Sequence, residues 1–160
     1  MKPSLVCNTG PLIALSIIGG KRIIEELYQS VIPRQVLDEW AAGVDSRPGA
    51  LPHGCRIVEV PVTNPFLAVQ LDAGEAAVIQ AALDLGIGTV LIDERKGRKL
   101  ARRLCGLVTL GTAGLLVQAK RAGIVPLIEP LFEELEDASY WIAPMIVDWA
   151  QEQVGESGAQ

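Results

Sequence analysis

The chain has 160 residues, 49% of them apolar and 21% charged, with a mean hydropathy of +0.32 and a formal net charge of −5. That length makes one domain with one sizeable core, and the acidic balance excludes a protein that binds nucleic acid by overall charge. No apolar run approaches the roughly 18–20 residues needed to cross a bilayer, and no signal-peptide pattern is present, so a cytoplasmic protein without a membrane role is expected.

In chain order, "SLVC" is a short apolar run ended by Asn8-Thr9-Gly10-Pro11, the pattern of a buried strand followed by a helix with proline near its first turn. Helices are predicted over residues 11–18 and 21–28, divided by Gly19-Gly20. "SVIP" then leads as a strand or turn into a third helix, with Pro33 at its start and Trp40 near its end. Residues 43–54 have the Gly, Pro and Ser density of a loop, and residues 55–62 alternate as a strand that Pro61 places at an edge. Asp72-Ala73-Gly74-Glu75 resembles a capping box that opens a helix running to Gly86.

"TVLID" is a continuous apolar strand ending at Asp93, and a basic helix and a short strand "LVTL" follow. A further helix, with Thr112 as its N-cap, is expected to run to Gly123. The last third reads as two amphipathic helices separated by Ser139 and a short "YWI" segment. No repeat or linker divides the chain, so a single domain over residues 1–152 and a disordered tail over residues 153–160 are expected. Cys7, Cys55 and Cys105 are odd in number and lack CxxC spacing, which makes them reduced thiols.

Strands alternating with helices imply a mostly parallel sheet covered on both faces, and such sheets bind ligands beyond the carboxyl ends of their strands. Asn8, Asp93 and Gly111-Thr112 each follow a strand and should share that edge, with Glu39 and Glu75 beside them. Hard cations such as Mg²⁺ or Mn²⁺ take clustered oxygen ligands and keep waters that a substrate displaces. They also offset charge on a phosphoryl oxygen, so the cluster points to phosphodiester hydrolysis.

Each acid has a structural alternative: Glu75 as the partner in a capping box, Glu39 as a solvated helix residue, Asp93 as a cap for the helix after it. The single histidine, His53, excludes a histidine triad or multi-histidine metal site, and no phosphate-binding or dinucleotide-binding glycine pattern is present. Glu94 to Arg103 carries six basic residues and one acid, a local charge of +5 that leaves −10 on the rest of the chain. A basic strip on an acidic body suits phosphate binding beside a cation pocket, though solvated helix faces carry such runs too.

Taken together, "VCNTGPLIALSIIGG", "IPRQVLDEW", "LDAGEAAVIQAA", "LIDERKGRKLARR" and "LGTAGLLVQAKRAGIV" resemble the PIN-domain superfamily, and more narrowly a prokaryotic toxin-like subgroup. The likeness runs in order from about residue 4 to residue 135. It implies a three-layer α/β/α fold with a central, mostly parallel sheet, and a metal-dependent ribonuclease that cuts RNA and that a small antitoxin protein neutralises. Carried over by position, the catalytic and metal sites fall on Asn8, Glu39, Glu75 and Asp93, with Thr112 as a nearby hydroxyl and Asp72 and Glu94 as supporting acids. Arg95, Lys96 and Arg98 are the expected RNA contacts, and a homodimer is expected.

The departure is Asn8, where the resemblance calls for aspartate: an amide oxygen can still ligate a hard cation, but one charge is lost. A catalytically silent PIN fold kept as a nucleic-acid-binding or protein-interaction module is therefore the alternative. A small-molecule phosphohydrolase on an unrelated α/β fold is a third reading.

Overall fold

The computed structural model describes residues 1–43 and 50–156. The elements follow the chain as β1 (Ser4–Cys7), α1 (Thr9–Ile17), α2 (Lys21–Leu27), β2 (Gln29–Pro33), α3 (Arg34–Ala42), β3 (Arg56–Val58) and α4 (Pro65–Gln70). They continue as α5 (Ala73–Leu85), β4 (Thr89–Leu91), α6 (Arg95–Arg103), β5 (Val108–Leu110), α7 (Thr112–Arg121), α8 (Glu129–Asp137) and α9 (Pro144–Gln153). The strands form one sheet in the order β3-β2-β1-β4-β5, and every neighbouring pair is parallel. This is the three-layer α/β/α architecture expected, with a sheet that is parallel throughout.

Covering the sheet on both faces explains why its central strands are apolar without alternation. Leu5, Val6 and Cys7 of β1, and Val90 and Leu91 of β4 with Ile92 after them, are all fully buried. Burying each such aliphatic side chain contributes about 1.5–3 kcal/mol. Along α5 the alanines 76, 77, 81 and 82 are buried beside Val78 and Ile79, and their small size lets the helix lie close to β1, β2 and β4. Chain order fixes the position of the site. The chain winds from β1 outward to β2 and β3, then crosses back to β4 and β5 on the other side of β1. The order reverses between β1 and β4, where a crevice opens beyond the carboxyl ends of the two strands. The Asn8 N–H donates to the Leu91 carbonyl at 3.0 Å, which carries the ladder one residue past β1 and sets Asn8 on the lip of that crevice.

Three expectations change. Helix α4 was not anticipated: Asn64 caps it by accepting the Phe66 N–H at 2.9 Å, with Pro65 in the first position, but six residues are too few for a helical period to stand out. Thr112 is the first residue of α7 and not its cap, a position that Gly111 takes. The tail expected to be disordered from residue 153 is ordered through Glu156, whose carboxylate accepts the Ile128 N–H at 2.9 Å, the Glu129 N–H at 3.0 Å and the Lys120 ammonium at 2.7 Å. Residues 157–160, and residues 44–49 of the predicted loop, lie outside the described residues.

All three cysteines are free, and burial pushes the Cys7 thiol far up. Among the described residues no helix is long and apolar enough to cross a membrane.

Candidate functional site

Buried polar side chains mark the edge that matters. Asn8, Thr9, Glu75 and Thr112 are all buried, and all lie at the carboxyl edge of the sheet or on the helices that begin there. Asn8 takes the N-cap position of α1 in extended conformation, where an asparagine oxygen ordinarily accepts an N–H from the first turn. It makes no such bond. Its Oδ1 is instead buried with no hydrogen-bond partner. Leaving a buried acceptor unpaired costs about 1–3 kcal/mol.

Around Asn8 the acids are seated one by one against neighbouring elements. Glu39, on α3, accepts the Thr9 hydroxyl at 2.7 Å, so a residue that the sequence reading passed over fixes its carboxylate. That carboxylate lies directly on Gly74, where a Cβ would collide with Glu39 Oε1. Glu75 turns towards α6, where a Cβ on Gly97 would stand 2.7 Å from its Oε2. A side chain at either position would push the acid out of its place.

Asp72 accepts the Glu75 N–H at 2.8 Å, as in a capping box, yet the Glu75 side chain serves more than the cap. Burial pushes its carboxyl up to about 8, and the Asp72 hydrogen bond and the charges of Asp72, Glu94 and Glu39 push the same way. Asp72 and Glu94 thus lie close enough to act on the Glu75 carboxyl.

Asp93 does not cap α6, the helix that follows it. It reaches α7 instead: Oδ1 accepts the Thr112 N–H at 2.7 Å and Oδ2 accepts the Thr112 hydroxyl at 2.6 Å. The N-terminal end of a helix favours a negative charge there. Oδ2 also accepts the hydroxyl of Tyr140, which the sequence gave no reason to place at this edge. Of the basic residues, Arg98 lies beside Asp93. Its Nη1 and Asp93 Oδ1 both lie 3.1 Å from the point that a Cβ on Gly111 would occupy. Arg95 and Lys96 are exposed at the start of α6. A concavity of about 170 Å³ lined by Ile18, Ile23, Ile124 and Val125 sits at the far ends of α1 and α7, with no acid in its lining, and is not part of this site.

The chain matches the DUF3368 family model, a PIN domain, over residues 4–156. The chain belongs to the PIN-domain family. No curated protein matches it, and no solved structure does.

PIN domains generally use divalent metal ions. Among the described residues, no three His, Cys, Asp or Glu side chains come together as ligands of one ion. The expected set of Glu39, Glu75 and Asp93 with Asn8 is therefore not a closed cage in this PIN domain, because each acid is held by a different neighbour. The donor chemistry nevertheless fits a hard cation. An amide oxygen buried without a donor and a carboxyl that burial and surrounding acids push up are both oxygens that a cation would satisfy. Mg²⁺ is commonly held by one or two carboxylates, waters and substrate phosphate, which does not require a cage made wholly of protein.

Proposed function

We propose that this PIN domain is a divalent-metal-dependent ribonuclease of the toxin type, hydrolysing RNA phosphodiesters at a site that Asn8 weakens. The observation that carries the proposal is the buried Oδ1 of Asn8, unpartnered at the one point where β1 and β4 part beside three acids. Asn8, Glu39, Glu75 and Asp93 would hold Mg²⁺ or Mn²⁺. When bound, the ion supplies Lewis acidity that offsets charge developing on a phosphoryl oxygen.

The remaining roles belong to the chain itself. Thr112 fixes the Asp93 carboxylate through two hydrogen bonds, and Thr9 fixes Glu39. Arg98, beside Asp93, orients the scissile phosphate, while Arg95 and Lys96 hold the backbone further along. The exposed Trp141, Met145 and Trp149 are the apolar surface that a small antitoxin or a second copy of the chain would cover.

The test is cleavage of a mixed single-stranded and hairpin RNA pool in Mg²⁺, Mn²⁺ and EDTA. Cutting that requires the ion and disappears in Asp93→Ala is expected, together with growth arrest on induced expression that the same variant relieves. Asn8→Asp restores the missing charge and should raise both metal affinity and cleavage.

A second reading, a silent PIN fold that binds without cutting, is favoured by one observation: three donors already occupy Asp93. It predicts no cleavage by the wild type in any metal, with cleavage appearing only in Asn8→Asp.

A further inference from the structure

Tyr140 lies in the connection between α8 and α9, outside every motif that marks the acidic edge. Its hydroxyl donates to Asp93 Oδ2. A Cβ on Gly10 would stand 3.2 Å from the same phenol oxygen. Gly10 follows Asn8 by two residues in α1, and Asp93 follows Leu91, the last residue of β4, by two. The phenol oxygen therefore reaches across the mouth between β1 and β4, where an ion shared by Asn8 and Asp93 would sit.

Two features hold it there. The Tyr140 ring packs against the hydrophobic core. Ser139, just before it, has φ of 63°, a left-handed conformation uncommon outside glycine, asparagine and aspartate. The backbone turns there, so that Tyr140 faces inward while Trp141 next to it is 78% exposed. Each carboxylate oxygen offers about two lone-pair directions, and both on Asp93 Oδ2 are taken, one by the Thr112 hydroxyl and one by Tyr140, while Oδ1 accepts only the Thr112 N–H. An O–H donor and a cation cannot share one lone pair.

We propose that Tyr140 is a positioning residue that masks Oδ2 of Asp93 in the metal-free protein and must release it before a divalent cation takes that oxygen. This rests on the reading that the edge holds such a cation. Tyr140 and the ion compete for the same oxygen, so the phenol lowers metal affinity in exchange for keeping a buried carboxylate satisfied while the ion is absent. The Asn8 amide oxygen has no such donor.

The test uses the full chain and reads binding, without reference to cleavage. Tyr140→Phe keeps the ring and removes only the competing hydroxyl, and Mn²⁺ binding is followed by the paramagnetic resonance of free Mn²⁺. A hydrogen bond to a charged group is worth roughly one decade in affinity or more, so the variant should bind Mn²⁺ about tenfold more tightly than the wild type. Equal or weaker binding by the folded variant overturns the inference and leaves the metal site standing. Binding by neither protein overturns both.

A second measurement keeps the question decidable if the variant does not fold. The chain has two tyrosines, and the other, Tyr28, donates to Gln118 Oε1 at 2.7 Å and serves as an internal reference. With ¹³C-labelled tyrosine, Mg²⁺ should move the Tyr140 Cζ resonance of the wild type and leave that of Tyr28 in place. A Tyr140 resonance that Mg²⁺ does not move overturns the release step.

Discussion

Glu75 is 7% exposed and carries its proton where a surface glutamate would not. Burial, the Asp72 hydrogen bond and three neighbouring acids push its carboxyl from the ordinary 4.5 to about 8. Between those values the folded protein holds a proton that the unfolded chain releases, so stability falls as pH rises through that window. Below it both states are protonated and Glu75 makes no difference. Glu75→Gln mimics the protonated form. Thermal unfolding of the metal-free protein from pH 4.5 to pH 8 should therefore show a decline in the wild type that the variant largely lacks. Parallel curves would sink the claim that Glu75 causes the decline. Several of these residues were legible beforehand, because Asn8 and Asp93 directly end apolar strand runs and Glu75 sits in a capping pattern. Tyr140 was not: it meets Asp93 47 positions away in the chain, and nothing in "SYWI" marks a contact at that distance. Gly74 and Gly97 were visible as glycines, but only the fold shows that each leaves room for a carboxylate.

Helix α8 shows how an element can depend on a residue far along the chain. Its N-cap, Ile128, has no side chain that can accept a hydrogen bond, so the first N–H groups of the helix need an acceptor from elsewhere. Glu156 supplies it, accepting from Ile128 and Glu129 while Lys120 of α7 pairs with the same carboxylate. Burial acts to raise the Glu156 carboxyl, but the Lys120 bond, the two N–H bonds and the Lys120 charge outweigh it, and the net direction is down. Glu156 therefore contributes stability above the ordinary carboxylate value, and that contribution is lost as pH falls through the lowered one. Glu156→Gln removes the charge at constant size and should cost about 0.5–2 kcal/mol near neutrality, the range for a lost helix cap. Urea unfolding at neutral and acid pH checks this, and a cost that persists undiminished in acid would show that packing and not charge is responsible. A cap 27 residues away leaves no local pattern in the sequence, which is why the tail read as disordered. The strands and the longer helices left clear ones, since apolar runs such as "TVLI" end at glycine, proline or a lone polar residue.

For the molecule as a whole, charge is unevenly placed. An acidic body of −10 repels RNA, and the +5 of residues 94–103 is concentrated on α6 beside the acidic edge. That asymmetry was legible in the sequence, but the orientation of the helix was not. Gly97 and Ala101, four residues apart, are buried; Arg98 is half-buried beside Asp93; Arg95, Lys96, Lys99, Arg102 and Arg103 face solvent. If α6 carries the RNA backbone, each of its charges that meets a phosphate releases condensed counterions. The logarithm of the affinity then falls with the logarithm of salt concentration, by about 0.7 per phosphate neutralised on a single strand. Replacing Arg95 and Lys96 by alanine should weaken single-stranded RNA binding at low salt and reduce that slope by about 1.4. Lys2, which precedes β1 and so lies at the opposite edge of the sheet, is the control: Lys2→Ala changes the net charge by one but should leave the slope unchanged. A slope that responds equally to all three positions would mean that RNA senses only the overall charge. An unchanged slope in the Arg95 and Lys96 double variant would remove the first two residues of α6 from the interface and leave Arg98, beside Asp93, as the basic residue of that helix tied to the site.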